Sequence, residues 1–565
     1  MKTLLKTGGS LLVLAAFAGA FTATPAAAQD AATIQSIQQQ IQELQSQLRK
    51  VQAEAKARDA ALKRAQDDAA QARLQAQEAQ KAATMMPPPQ VQVVAAPPPP
   101  PEKKLPFGTF QVGGVTVTLG GFAALEGVYR SRNQAGTVDT NFNSGIPFPS
   151  SPDYHIPEYR ESAQQSRFSL LAQGQIDDAQ TLTSYLETDF LSAGTSSNSN
   201  QSNSYTLRMR QFFGEYDNTD MGLHVMGGQG WSLATMNRIG MLPRSENVPL
   251  TIDAQYVAGF DWQRQPELRV VKDFDDRKLW AGVSLESPQT LFGSSAGNNC
   301  LTGAATTTTT GGGDLEYTQC GGSNVNTIQA YSDTIAPDII AKVAADPGFG
   351  HYEIYGLLRF LGGRVSYPAG ATGGTPGTGK SYSATGEGIG AGMILPVIPA
   401  KLDFQVSGLF GQGVGRYGSA QLPDATFNLQ GKIEPLTGYS VMGGLVGHPI
   451  PSVDVYAYGG AEGVQNKWYS ADGFNAGYGN PNVSVAGCEF ETASCAATTQ
   501  SVVEGTIGAW WRVLQGSYGT AQLGAQYEYI ERTAFSGVGS TKGSTLTPST
   551  NENAFLFSVR YYPFQ

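Results

Sequence analysis

The chain has 565 residues, with 37 basic against 47 acidic side chains and a formal net charge of -10. That balance excludes the basic face through which proteins hold nucleic acid. Only 15% of residues are charged, yet no run approaches the ~20 consecutive apolar residues that a spanning helix needs, so any membrane-embedded part must be built from strands closed into a barrel.

Taken in chain order, residues 1–28 read as an export signal. Lys2 and Lys6 give a positive start, Leu11 to Phe21 an apolar stretch too short to cross a bilayer, and Ala26-Ala27-Ala28 the small residues of a cleavage site before Gln29. Residues 29–86 are a different material. Ile34, Ile37, Ile41, Leu44, Leu48 and Val51 step by three and four, which predicts an α-helical coiled coil, and isoleucine at both seam positions favours three strands or more over two. Fully helical, this segment would reach about 80 to 90 Å at 1.5 Å per residue, far enough to project into the periplasm and to touch a cell-wall partner. Pro87-Pro88-Pro89 and Pro97 to Pro101 then stop any helix, so 87–111 is a semi-rigid extended spacer.

From 112 to 565 the chain is written in a two-residue rhythm. Leu402, Phe404, Val406 and Phe410 share one face while Lys401, Asp403, Gln405 and Ser407 share the other; Ala521, Leu523, Ala525, Tyr527 and Tyr529 alternate with Gln522, Gly524, Gln526 and Glu528. Repeated from Val115 to Tyr561, the pattern predicts an all-β fold, a transmembrane antiparallel β-barrel with lipid outside and water within. The length suits about 16 strands, in a range of roughly 14 to 18. Long-loop candidates, rich in Gly, Ser, Asn and Thr, are 132–165, 192–204, 292–330, 366–384 and 466–500. Residues 233–262, with Arg238, Arg244 and Glu246, are the candidate for a loop folded inward to narrow the lumen. The tail alternates Phe555, Phe557, Val559 and Tyr561 with Leu556, Ser558 and Arg560, as a final wall strand would.

Four cysteines, Cys300, Cys320, Cys488 and Cys495, lie in loop-like stretches of an exported chain. Bridges Cys300–Cys320 and Cys488–Cys495 are the economical pairing of the three that four cysteines allow, and the spacing does not suit zinc. Gly374 to Ser381 matches the phosphate-binding P-loop pattern, but a glycine-rich alternating segment follows where that site needs a helix, so the stretch reads as a loop. His155, His224, His351 and His448 are scattered without ligand or triad spacing. Nothing points to an enzyme, a cofactor or a metal.

Charge at spacing two marks one block of strands. Arg167, then Glu187 and Asp189, then Arg208 and Arg210 each fall on a single strand face, and Arg264 and Arg269 flank Pro266. On a barrel that face must be the lumen, since Arg on the lipid side costs roughly 2–4 kcal/mol at mid-bilayer. These seven residues are the expected pore lining. Either the arginines pair with Glu187 and Asp189 and merely hold register, or free guanidinium forks form a ladder that attracts carboxylates.

Gln165 to Phe168, Tyr185 to Phe190, Leu207 to Arg210, Gly228 to Ser232, Arg264 to Arg269 and Pro337 to Ala341, in this order, resemble the DcaP-type porins of Gram-negative bacteria. The resemblance covers roughly 112–360 and implies a 16-stranded trimeric barrel with a periplasmic coiled coil in the outer membrane. It also implies passive uptake of dicarboxylates and similar organic anions. The cysteine-bearing loops and Gly230 depart from the pattern. Two rivals are a phosphate-selective pore, which more inward lysine would favour, and a barrel-anchored tether or adhesin that works through its coiled coil.

Overall fold

The computed structural model describes residues 105–191, 204–293 and 330–565 except 368–374, 376 and 472–473, together with Thr306–Thr309, Asp314–Thr318, Cys320–Gly322 and scattered helical positions between Arg49 and Leu74. The chain divides into two compact units, Met1–Glu102 and Lys103–Gln565. The export signal, the isoleucine seam up to Leu48, most of the spacer and Cys300 lie outside the described residues.

The second unit is a closed antiparallel barrel of sixteen wall strands. In chain order these are β1 (Val115–Arg130), β2 (Arg167–Gln175), β3 (Gln180–Asp189), β4 (Arg208–Asn218), β5 (Leu223–Trp231), β6 (Arg264–Phe274), β7 (Leu279–Glu286), β8 (Asp338–Ala345), β9 (His351–Tyr367), β10 (Thr378–Ile398), β11 (Leu402–Gln412), β12 (Thr437–Ile450), β13 (Val453–Val464), β14 (Thr499–Gly516), β15 (Gly519–Ala534) and β16 (Ser549–Tyr562). Each pairs with its neighbours in sequence, and β16 returns to β1 with Tyr561 opposite Ala123 and Ala554 opposite Arg130. Connections alternate between tight turns and long loops, which gives the barrel a short-turn end and a long-loop end.

The seam is completed from the N-terminal side. β16 contacts only the Ala123–Arg130 half of β1, and the strand Thr109–Val112 folds back on Val115–Thr118 to cover the edge that β16 leaves bare. The short strand thereby pairs part of an edge that would otherwise be open, as a closed wall requires.

Alternation sorts the side chains as the sequence pattern requires. Phe555, Phe557, Val559 and Tyr561 of β16 face outward, while Ala554, Leu556 and Ser558 are buried on the lumenal side. In β11, Phe410 is outward and Gln405, Ser407 and Leu409 are inward. No helix among the described residues is long and apolar enough to cross a membrane.

Several expected loops contain more structure than their composition suggests. Within 132–165, Glu158–Ser162 pairs with Glu126–Arg130 of β1, setting Tyr159 beside Tyr129 on the outer face. Within 292–330, Thr306–Thr309 pairs with Asp314–Tyr317, as a β-branched run can. The expected loop at 366–384 gives up both ends to strand, with β9 running to Tyr367 and β10 starting at Thr378, because serine, threonine and tyrosine alternate straight into β10. The P-loop-like stretch therefore runs into a strand, with Lys380 opposite Val365 and Ser381 opposite Arg364. Within 466–500, a hairpin of Lys467–Ala471 and Phe474–Tyr478 precedes a disulfide between Cys488 and Cys495, whose Cα atoms are 4.4 Å apart. The companion pair, Cys300 with Cys320, falls outside what is described because Cys300 does.

Residues 232–263 fold into the lumen. Leu233, Ala234 and Met241 pack on Val271, Trp280, Ile340 and Tyr355 of the inner wall. Ile252, Tyr256, Val257, Phe260 and Trp262 pack on Val128, Met442, Tyr456, Trp510 and Leu556. Buried wall carboxylates hold the backbone: Glu286 accepts from Leu233 N at 2.9 Å, Glu504 from Ala258 N at 2.7 Å and Glu462 from Gly259 N at 2.7 Å. The inner face of β10 is stripped to glycine at Gly386, Gly388, Gly390 and Gly392 to admit this loop and its supports. A Cβ on Gly392 would sit 2.6 Å from Met236 Sδ, and one on Gly390 would sit 2.1 Å from the Tyr355 ring.

Two substitutions should separate the two faces. Ile507→Arg, on the outward face of β14 where Ile507 is 58% exposed, should destabilise the barrel in lipid by about 2–4 kcal/mol, measured by reversible unfolding from bilayers. Gly390→Val should cost about 1–3 kcal/mol in the same assay through overpacking against Tyr355.

Candidate functional site

The charged block forms one connected network on the lumenal face of β2, β3 and β4. A register shift between Glu187 and Thr188 brings both carboxylates of β3 against the two arginines of β4. Arg208 takes Asp189 with two parallel bonds of 2.9 Å each. Arg210 donates from Nε to Glu187 at 2.6 Å and from Nη1 to Asp189 at 2.8 Å, and its Nη2 reaches the Tyr256 hydroxyl of the inward loop at 3.4 Å. Arg167 stands farther off, 3.6 Å from Glu187. Such charge-assisted, mutually saturated bonds fix the wall but leave Arg208 and Arg210 little capacity for a solute.

Arg264 and Arg269 are spent differently. Arg269 is fully buried, forked onto Glu267 at 2.8 and 3.0 Å and bonded to the Trp231 carbonyl. Arg264 lies 5.1 Å from the ring centroids of both Trp231 and Trp262, the residues that bracket the inward loop, and so joins its two feet.

Beneath the loop lies a cavity of about 730 Å³. Of the seven expected residues, Arg167, Glu187 and Arg210 line it, whereas Asp189, Arg208, Arg264 and Arg269 do not. Four further arginines do: Arg238 and Arg244 from the loop, Arg512 from β14 and Arg560 from β16. Arg512 is paired with Asp454, which also holds His448 Nδ1 at 2.6 Å. Arg560 is bonded to Glu126 and lies 4.7 Å from the Phe122 centroid and 4.5 Å from that of Trp510. Arg167 lies 5.3 Å from the same Phe122 ring.

Arg238 and Arg244 are exposed, and among the described residues neither has a carboxylate partner. They ride on a small hairpin in which Asn237 bridges to Glu246 and Arg238 N donates to Ser245 O at 2.8 Å. Arg244 takes a positive φ of 70°, a cost of order 1–3 kcal/mol that the surrounding bonds must hold. Its guanidinium lies 5.0 Å from the centroid of Tyr185 on β3. The hairpin also leans on β11, where Asn247 donates to Gln405 at 2.8 Å. Strands β3 and β11 stand eight places apart in a ring of sixteen, so the loop bridges the lumen. Arg512 and Arg560 carried no local signal beyond alternation, because their partners Asp454 and Glu126, though on neighbouring strands of the barrel, lie far away in sequence.

The solved structure of the outer membrane channel DcaP of Acinetobacter baumannii matches 81% of this chain and 99% of its own, at a TM-score of 0.52 and 18% identity. This chain has the fold of the DcaP-type porins. The anion-selective porin from Comamonas acidovorans matches 79% of this chain and 99% of its own at a TM-score of 0.40 and 10% identity, and OmpT, an outer membrane protein of Vibrio cholerae, 80% and 99% at 0.39 and 11%. No protein-family model matches the chain, and no curated protein matches its sequence.

In this DcaP-type barrel, removing Glu187 would leave Arg210 and Arg167 without their shared counter-charge. Glu187→Gln should therefore destabilise by about 3–5 kcal/mol in detergent unfolding. Arg208→Ala should cost less, because Asp189 keeps its bond to Arg210.

Proposed function

We propose that the protein is an outer-membrane porin through which small anionic solutes, dicarboxylates and related organic acids among them, diffuse passively. The carrying observation is that the cavity presents arginines that are not neutralised by carboxylates: Arg244 rests on the Tyr185 ring, and Arg238 stands beside it without an ion pair among the described residues. A guanidinium propped by an aromatic face keeps its in-plane donors free, and those donors match a carboxylate with two parallel bonds. Arg167, loosely held by Glu187 and set against Phe122, extends the cationic wall. A channel needs sites of this kind, attractive enough to admit an ion and weak enough to release it. The shared fold with the DcaP channel supports the same reading.

In this reading the long-loop end faces outward and the short turns face the periplasm. The exported chain loses residues 1–28, three copies associate with help from the isoleucine seam in 29–86, and 87–111 spaces that coiled coil from the barrel. Asp189, Arg208, Arg264 and Arg269 then frame the path, and Arg167, Glu187 and Arg210 border it with the loop arginines.

Planar-bilayer recordings of the purified protein in a salt gradient should give a reversal potential on the anion side. Arg238→Ala with Arg244→Ala should shift it toward zero. A wild-type reversal potential favouring cations, or a double variant as selective as the parent, would return these arginines to a packing role.

A further inference from the structure

The hairpin that carries Arg238 and Arg244 is attached to the wall at one place of unusual composition. Lys342 of β8 points into the lumen and is fully buried. An ammonium has three donors, and all three are used: Glu353 Oε1 at 2.8 Å, Thr235 O at 2.9 Å and Asn237 Oδ1 at 3.3 Å. Only the first acceptor belongs to the wall. Glu353 in turn accepts Asn237 N at 3.1 Å, and Asp346, in the turn after β8, accepts Gly240 N at 3.0 Å. His351 ties the two acids together, with Nδ1 2.8 Å from Asp346 and Nε2 3.0 Å from Glu353.

A wall that needed no more than a neutral interior could have paired Lys342 with Glu353 and stopped. Here two of the three donors leave the wall and grip the loop. Asn237 passes that grip on, because its side chain also donates to Ser245 Oγ at 2.9 Å across the hairpin. Its neighbour Arg238 and the facing Arg244 are therefore placed by a chain of bonds that begins at Lys342.

We propose that Lys342 is a positioning residue for the pore: it fixes the Asn237–Glu246 hairpin and, through it, the two unpaired arginines of the constriction. Lys342 itself is not among the residues that line the cavity. The proposal rests on the porin reading for its consequence in selectivity but not for its consequence in loop position, and the two can be measured apart.

Two variants and two readouts test it. Lys342→Met keeps length and apolar bulk while removing the donors; Asn237→Ala leaves the wall untouched and removes the loop's half of the contact. Barrel assembly is checked first by heat-modifiable migration on gels. Limited trypsin digestion of folded protein should then cut after Arg238 or Arg244 in both variants and leave the parent intact. In bilayers both variants should show higher conductance and a loss of anion preference like that of the Arg238→Ala, Arg244→Ala protein. If Lys342→Met does not assemble, Asn237→Ala carries the same expectation alone. Variants as trypsin-resistant as the parent would overturn the proposal whatever the channel conducts. A parent without anion preference would instead overturn the anion-selective part of the porin reading and leave the digestion result to decide the position of the loop.

Discussion

Lipid on the outside of the wall dictates what happens inside it. Because Leu445, Phe557 and Ile507 must face acyl chains, the intervening set on each strand must face inward, and that set is rich in carboxylates. A wide lumen would leave them in water. Here much of the lumen is filled by residues 232–263, so Glu286, Glu462 and Glu504 are buried and need donors. The loop supplies them from its own backbone. A loop is normally kept at a protein's surface by its unpaired N–H groups; inside this barrel the same groups complete the wall's hydrogen bonding, and each side satisfies the other.

The same constraint divides the arginines into two populations. Those on wall strands meet acids on the neighbouring strand and become part of the scaffold, as Arg208 and Arg210 do with Asp189 and Glu187. Arg238 and Arg244 on the loop have no carboxylate partner among the described residues, and Arg244 rests on the Tyr185 ring instead. Position on a strand or on a loop, more than the identity of the side chain, decides which cations remain available to a passing ion.

Much of this was legible in the sequence, and the limits have physical causes. Period-two alternation gave the strands and their outward faces, because lipid enforces it residue by residue. The lumenal sign of Arg167, Glu187, Asp189, Arg208 and Arg210 followed from the cost of the alternative face, and 233–262, a candidate for its Arg238, Arg244 and Glu246, does pack against the inner wall. What could not be read is which elements meet in the closed barrel. Lys342 with Asn237, Arg560 with Glu126 and Arg512 with Asp454 join residues far apart in sequence, and no local pattern encodes such pairs. The glycines of β10 were visible as a composition, but their purpose appears only when Met236 and Tyr355 are seen to occupy the space they leave. Thr306–Thr309 and Glu158–Ser162 were hidden because threonine and charged residues dominate both strands and loops at the rim.

The short strand Thr109–Val112 has a consequence for assembly. Joining β16 to β1 brings together residues more than 400 positions apart, and the entropy lost on closing so large a ring is the least favourable step in making any barrel. Part of the edge that β16 would otherwise have to find is already occupied by a partner only a few residues upstream, which can dock at once. The final strand then has to search for register over half of β1 instead of all of it. An unoccupied edge of that kind invites pairing with another chain, and the early hairpin shortens the stretch open to such mispairing while the ring is incomplete.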